Sequence, residues 1–251
     1  DGPVPPWDSK DVEVVVAGIR AAGAEVVILK HPRWPDHQKG PFGVAGLDRG
    51  TGASTTTHPY DALELINSDN DEPDPLGLFR DWFALLDRGE RLVAVASSDS
   101  HAVDVIVGGG RTYVRSAGDD PAALDVPALA RALREGRSSL SMGIFADVRV
   151  DGRSPGELAP RAARHTVEMV VRSPAWVRPR RAELWVDGAL QQTVELAGAP
   201  AGPFERTLAL ELEPRAHDAW LVCIVHGDGV RHPAWPLLND YTLAATNPVF
   251  L

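Results

Sequence analysis

The sequence feature that most restricts the fold is a short apolar run, Leu-Val-Ala-Val-Ala at residues 92–96, followed at once by the polar residues 97–101. Such a run is typical of a strand that is buried on both faces of a parallel sheet. Enzymes built on parallel strands place their chemistry at the carboxyl ends of those strands. Asp99 and His101 lie at this end and offer a carboxylate oxygen and an imidazole nitrogen, donors that suit Zn, Mn or Fe. The run predicts a buried strand that ends in a candidate metal-binding pair. The simpler alternative is a polar turn after the strand, in which Asp99 caps the next segment.

Two earlier apolar runs carry polar residues in the same position relative to their strands. The strand predicted at residues 24–29 precedes His31, and the strand predicted at residues 62–66 contains Glu64 and is followed by Asn67. Apolar residues at helical spacing predict a helix before the first and before the last of the three strands. The order helix, strand, loop, strand, helix, strand is typical of a parallel α/β arrangement.

The predicted fold class is α/β plus all-β. A complete eight-unit barrel takes about 250 residues, whereas only about 140 residues here have the α/β pattern. From residue 144 onward, Asp-Gly dipeptides between short apolar runs predict antiparallel hairpins. We predict that residues 1–143 form the C-terminal portion of a distorted β/α barrel, that residues 144–237 form a small antiparallel β-sandwich, and that residues 238–251 return to the first domain.

Composition and charge exclude several classes of protein. The chain has 251 residues, 44% of them hydrophobic, and a formal net charge of -10, which argues against binding to a nucleic-acid backbone or an anionic membrane. No run approaches the roughly 18 apolar residues of a membrane span. The one cysteine, Cys223, cannot form an internal disulfide. The chain opens at Asp1 without a Met, so an upstream segment is expected, and the compartment and oligomeric state stay open.

The order of these motifs resembles the PHP family of metal-dependent hydrolases, in its carbaryl-hydrolase-like (CehA/McbA) branch. The resemblance is carried by His31-Pro32-Arg33, the run from Leu63 to Asn67, the helix positions Trp82, Leu86 and Gly89, then Ser98-Asp99-Ser100-His101, Thr112-Tyr113-Val114, Gly136-Arg137 and the closing Thr246-Asn247-Pro248-Val249. It spans nearly the whole chain and rests on the ordered set rather than on one motif. It implies a distorted PHP-type β/α barrel that holds two or three divalent metals with His, Asp and Glu.

By position, the resemblance implies a set of metal ligands: His31, Asp99 and His101. These would hold Zn, Mn or Fe, with two or more ions in the complete protein. Arg33 is implied to orient a polarised substrate oxygen, and His101 to act in catalysis. Weaker candidates, which would orient the ligands from outside, are Glu64, Asn67 and His58. Members of the family begin with a His-x-His pair that this sequence lacks. Either the chain is the C-terminal portion of a larger enzyme, or its site is degenerate.

The predicted function is divalent-metal-dependent hydrolysis of an ester, phosphoester or carbamate bond by a metal-activated water, with a small-molecule or phosphoester substrate as the partner. A degenerate, non-catalytic protein that binds a polymer or protein partner through its β-sandwich is the alternative. Exposed aromatic side chains among Trp176, Trp185 and Trp220 would favour it. A third possible function is that of a related amidohydrolase-type barrel, which would use an Asp at the end of a strand as a proton shuttle. His37 and His165 are expected to be exposed.

Overall fold

The computed structural model describes residues 9, 11–34, 39–69, 74–103, 105–118, 120–196, 202–233 and 235–251. The structure is 38% strand and 16% helix, and its strands form several separate sheets. The prediction of a portion of a β/α barrel is therefore wrong, because the described residues form no closed barrel. His37 lies outside the described residues.

Four α-helices occur in the described part of the chain. They are α1 (Val12–Ala21), α2 (Pro41–Val44), α3 (Gly77–Asp87) and α4 (Val126–Arg134), and a short 3-10 helix spans Pro121–Ala123. The Asp11 carboxylate begins α1 by accepting a hydrogen bond from the Glu13 N–H at 2.9 Å, and Asp125 begins α4 through the Ala128 N–H at 3.0 Å. None of the described helices is both long and apolar enough to cross a membrane.

Three parallel strands form the first sheet. They are β1 (Ile28–Leu29), β2 (Ala62–Asn67) and β3 (Val93–Ser97), in that spatial order. The side chains of β2 and β3 are buried except at the last residue of each strand. On one face, Leu133 of α4 packs against Ala62, Val93 and Val95. Because the strands are parallel, their carboxyl ends meet at one edge of the sheet.

The remaining strands pair mostly antiparallel. They are β4 (Arg111–Val114), β5 (Ser138–Met142), β6 (Phe145–Val150), β7 (His165–Ser173), β8 (Pro179–Val186), β9 (Ala189–Glu195), β10 (Phe204–Leu212), β11 (Trp220–Asp228), β12 (Arg231–His232), β13 (Trp235–Pro236), β14 (Tyr241–Thr246) and β15 (Val249–Phe250). A seven-stranded sheet has the order β4-β5-β14-β11-β8-β9, with β15 also on β11, while β10-β7-β6 and β12-β13 form smaller sheets. The seven-stranded sheet contains strands from all three of the segments predicted as domains, 1–143, 144–237 and 238–251. The domain boundaries themselves stay a prediction.

Two of the Asp-Gly dipeptides form tight turns. Asp151 and Gly152 have φ of 48° and 80°, and Asp187 and Gly188 have φ of 47° and 67°. Two successive positive φ values are what a two-residue hairpin turn needs, and Asp and Gly adopt them at low cost. The second turn joins β8 to β9, as the sequence predicts.

The outer edge of β3 explains why the parallel sheet does not continue into a barrel. Asn247, which lies between β14 and β15, accepts a hydrogen bond from the Ala94 N–H at 2.7 Å and donates one to the Ala94 carbonyl at 3.0 Å. The Thr112 hydroxyl accepts from the Ala96 N–H and donates to the Ala96 carbonyl, both at 2.9 Å. A fourth strand would need these same backbone groups. Two side chains therefore close the edge that a barrel would extend.

Asn247→Ala is expected to lower the free energy of unfolding by about 3 kcal/mol, because it leaves the buried N–H and carbonyl of Ala94 without partners. Urea unfolding at neutral pH measures the change. Gln191→Ala is the control, since this amide is exposed and donates to the carbonyl of its neighbour Ala189. Equal midpoints for the two variants would contradict the role given to Asn247.

Helix α3 joins the parallel sheet to the seven-stranded sheet. The Trp82 indole N–H donates to the Leu92 carbonyl at 2.7 Å, just before β3. On the other side, the Phe83 ring lies 4.9 Å from the Trp220 ring, whose indole N–H donates to Asp87 at 2.9 Å. The two sheets and the helix thus share one apolar core, in which Trp220 is almost fully buried.

Candidate metal centre

Polar residues that follow the three parallel strands meet at the carboxyl edge of the sheet. His31 comes after β1. Asn67 is the last residue of β2, and Asp69 lies two residues beyond it. Asp99 and His101 come after β3. One donor atom from each of Asp69, Asp99 and His101 lies within 4.8 Å of the other two. The edge therefore brings two carboxylates and an imidazole within reach of one cation.

Asp99 is the centre of this group. Its Oδ2 lies 3.0 Å from His31 Nε2 and accepts a hydrogen bond from the Asn67 amide at 3.1 Å. Its Oδ1 accepts from the Lys30 ammonium at 3.1 Å and lies 3.7 Å from His101 Nδ1. Residues from all three strand ends therefore contact one carboxylate.

The backbone at His31 and Asp99 adopts an uncommon conformation. Both residues have φ of 51°, in the left-handed region that residues other than glycine seldom occupy. This conformation costs roughly 1–2 kcal/mol at each residue. Strain of this kind tends to be kept where a side chain must be aimed at a site, and here it falls on the residues after β1 and β3 whose side chains approach to 3.0 Å.

Glu64 lies beneath the group and is only 1% exposed. It accepts a hydrogen bond from the His31 N–H at 3.0 Å and another from the Ser97 hydroxyl. The ammonium of Lys30 is also close, with its Nζ 3.5 Å from Glu64 Oε1. The buried carboxylate thereby fixes the backbone after β1 against the end of β3.

Electrostatics favour a charged Asp99. Burial raises the pKa of its carboxyl, but hydrogen bonds from Asn67 and Lys30 and the charges of Lys30 and His31 together hold that pKa below its usual range. For Lys30, burial lowers the pKa of the ammonium, and Asp99 and Glu64 outweigh this effect and raise it. The site therefore contains a deprotonated carboxylate that can act as a ligand, and beside it a lysine that already neutralises part of its charge.

Sequence reasoning missed one member of the grouped donors. The predicted ligands were His31, Asp99 and His101, whereas the three donors that the structure groups are Asp69, Asp99 and His101. His31 is outside that group, although its Nε2 lies 3.0 Å from Asp99 Oδ2. The available signal for Asp69 was its place two residues beyond Asn67, at the end of a predicted strand.

Arg33 has a different partner from the predicted substrate oxygen. Its guanidinium makes two hydrogen bonds to Asp81 of α3, from Nε at 3.0 Å and from Nη2 at 2.7 Å, and a third to the Leu47 carbonyl. Arg49 approaches the same carboxylate from Nε at 3.0 Å. Arg33 therefore anchors the loop after β1 to α3, and we leave it out of the proposed site.

His58 lies at the opposite edge of the parallel sheet. It precedes β2, and its Nδ1 lies 2.7 Å from the carboxylate of Glu90, which precedes β3. Its ring packs beside Phe42 and Tyr60 and is only 4% exposed. Because His58 precedes β2, it lies at the amino ends of the strands and is not among the residues that the structure brings together at their carboxyl edge.

Two histidines of the antiparallel sheets have structural partners. His165, predicted to be exposed, is 4% exposed and lies 2.7 Å from Asp151. His226 is buried with its Nε2 3.0 Å from Glu183. Burial raises the pKa of Glu183, but hydrogen bonds from His226, Arg181 and Trp185 outweigh it and lower that pKa to about 2. These pairs stabilise the sheets and stand apart from the candidate metal centre.

Comparisons with known proteins identify no relative of this chain. No protein-family model, curated protein or solved structure matches the chain.

Proposed function

We propose that Asp69, Asp99 and His101 bind a divalent metal ion and that the protein hydrolyses an ester, phosphoester or carbamate bond. The observation that carries this proposal is the grouping of their three donor atoms within 4.8 Å, at the shared carboxyl edge of three parallel strands. Strained backbone at Asp99 and at the neighbouring His31 supports it.

The donor set fits such an ion. Carboxylate oxygens and an imidazole suit Zn, Mn or Fe, and three protein ligands leave a coordination position open, as catalytic zinc sites do. A bound divalent metal supplies an activated water at neutral pH and polarises the bond to be broken. The side chain of His101 is 72% exposed, so the group is open to solvent and to a substrate.

The surrounding residues have supporting roles. Asn67 donates to Asp99 and orients its carboxylate, and His31 contacts the same oxygen from the other side. Glu64 holds the backbone of His31 in place. The grouped donors suit one ion, whereas the resemblance to the PHP family implies two or more.

A second candidate function is supported by Lys30. Its ammonium lies 3.1 Å from Asp99 and 3.5 Å from Glu64, where it supplies positive charge without a metal. A degenerate, non-catalytic protein would use this lysine as the permanent counter-ion of the carboxylates. The exposed Trp176 fits the same alternative, since it offers an aromatic surface to a partner.

Metal content distinguishes the two. After dialysis against Zn²⁺ or Mn²⁺ and then metal-free buffer, elemental mass spectrometry is expected to find one equivalent of metal per chain. The loaded protein should hydrolyse p-nitrophenyl acetate or bis(p-nitrophenyl) phosphate, and a chelator should stop the reaction. Metal without turnover of either type of ester would leave a metal-binding protein, and no metal at all would favour the lysine-neutralised alternative.

A further inference from the structure

A groove among the antiparallel strands has no lining residue in common with the candidate metal centre. It has a volume of about 680 Å³, in the range of small-molecule sites. Its aromatic lining residues are Tyr113, Phe145, Trp176, Phe204 and Trp235. Trp176 is 49% exposed and its ring lies 5.7 Å from that of His232, so part of the aromatic surface faces solvent. The groove offers an apolar ligand a large area to cover.

Arg111 supplies the polar feature of this groove. Its guanidinium carbon lies 5.9 Å from the Tyr113 ring centre and 5.8 Å from that of Trp235, within the range of cation–π contact. Its Nε is buried and has no hydrogen-bond partner among the described residues. Nor does any described carboxylate form an ion pair with it, in contrast to Arg172, which pairs with Glu205 at 2.9 Å.

A buried donor without a partner costs free energy that an acceptor can recover. Arg111 lines the groove, so a ligand there would meet a guanidinium group that no described carboxylate neutralises. A carboxylate matches the edge of a guanidinium with two parallel hydrogen bonds. An uncharged apolar ligand would cover the rings and leave the arginine unsatisfied, and a nucleic-acid backbone is disfavoured by the net charge of -10.

We propose that this groove binds a small organic carboxylate with a flat apolar ring. The carboxylate pairs with Arg111, and the ring packs against the aromatic lining, where burial and ring–ring contact stabilise it. The inference goes beyond the proposed hydrolysis and is independent of a metal ion.

The test uses isothermal titration calorimetry in metal-free buffer with three probes. Phenylacetate carries both features, phenylacetamide lacks the charge, and acetate lacks the ring. Phenylacetate is expected to bind at least 10-fold more tightly than either of the others. Arg111→Gln should weaken phenylacetate binding at least 10-fold, whereas Arg149→Gln, at an exposed position of β6 outside the groove, should leave it unchanged.

Trp176→Ala is a second variant, chosen because the half-exposed side chain contributes little to the core. It should also weaken phenylacetate binding, and circular dichroism of each variant checks that the fold is kept. Equal binding of phenylacetate and phenylacetamide would overturn the proposal. Wild-type affinity in both Arg111→Gln and Trp176→Ala would do the same.

Discussion

Asp81→Asn is expected to lower the free energy of unfolding by about 3 kcal/mol. Asp81 is fully buried on α3, and its two oxygens accept hydrogen bonds from both Arg33 and Arg49. An asparagine can accept only through its single oxygen, and its NH₂ group would face arginine donors. The variant therefore removes the buried negative charge that both guanidinium groups contact, and removing one partner of a buried ion pair is strongly destabilising.

Chemical denaturation at neutral pH measures this change, with Asp74→Asn as the matched control. Asp74 pairs with Arg80 near the same helix, but its side chain is 45% exposed. An exposed pair contributes less than about 1 kcal/mol, and asparagine keeps the oxygen that accepts from the Leu76 N–H. If the two variants lost equal stability, the Arg33–Asp81 contact would not be what anchors the loop after β1.

The local elements of this fold could be predicted from the sequence. The apolar run at 92–96 gives β3, and polar residues just beyond it and beyond β2 meet at one sheet edge. The turn at Asp187-Gly188 follows from the backbone freedom of those residue types. In each case the signal lies within a few neighbouring residues, so no knowledge of distant contacts was needed.

The barrel was predicted wrongly because its continuation depends on distant contacts. Asn247 closes the edge of β3 from 153 residues away, and an Asn before a Pro carries no sequence signal for that role. The burial of Asp81 is similar, since a charged residue enters a core only when partners such as Arg33 reach it. A resemblance based on short ordered motifs indicates which residues follow which strands, but it does not determine how many parallel strands the sheet contains.

The contrast between local sequence signals and distant contacts also applies to the candidate site. His31, Asp99 and His101 were singled out as strand-end residues, and the structure brings all three to one edge. Their division of roles was not visible, because it depends on which donor atoms point inward. Asp69 joins Asp99 and His101, while His31 Nε2 lies 3.0 Å from Asp99 Oδ2 and is outside the group.

Asp99→Asn is expected to reduce the affinity for a divalent metal by at least about 100-fold and to abolish metal-dependent hydrolysis. Asp99 contacts every strand end of the site, and its carboxylate is kept charged by its neighbours. Asparagine is preferred to alanine here because asparagine tolerates the φ of 51° that this position requires. The variant therefore removes the charge and keeps the backbone conformation, so a loss of metal binding cannot be attributed to strain.

Asp187→Asn is the matched control for that experiment. Asp187 also has a positive φ, of 47°, and the asparagine keeps the oxygen that accepts from the Trp220 N–H at 3.0 Å, remote from the metal centre. Titration calorimetry with Zn²⁺ and Mn²⁺ should give wild-type affinity for this variant and no measurable binding for Asp99→Asn, with matching unfolding midpoints. If Asp99→Asn bound metal as tightly as the control, the ion would lie elsewhere, and Lys30 would be the cation that Asp99 exists to hold.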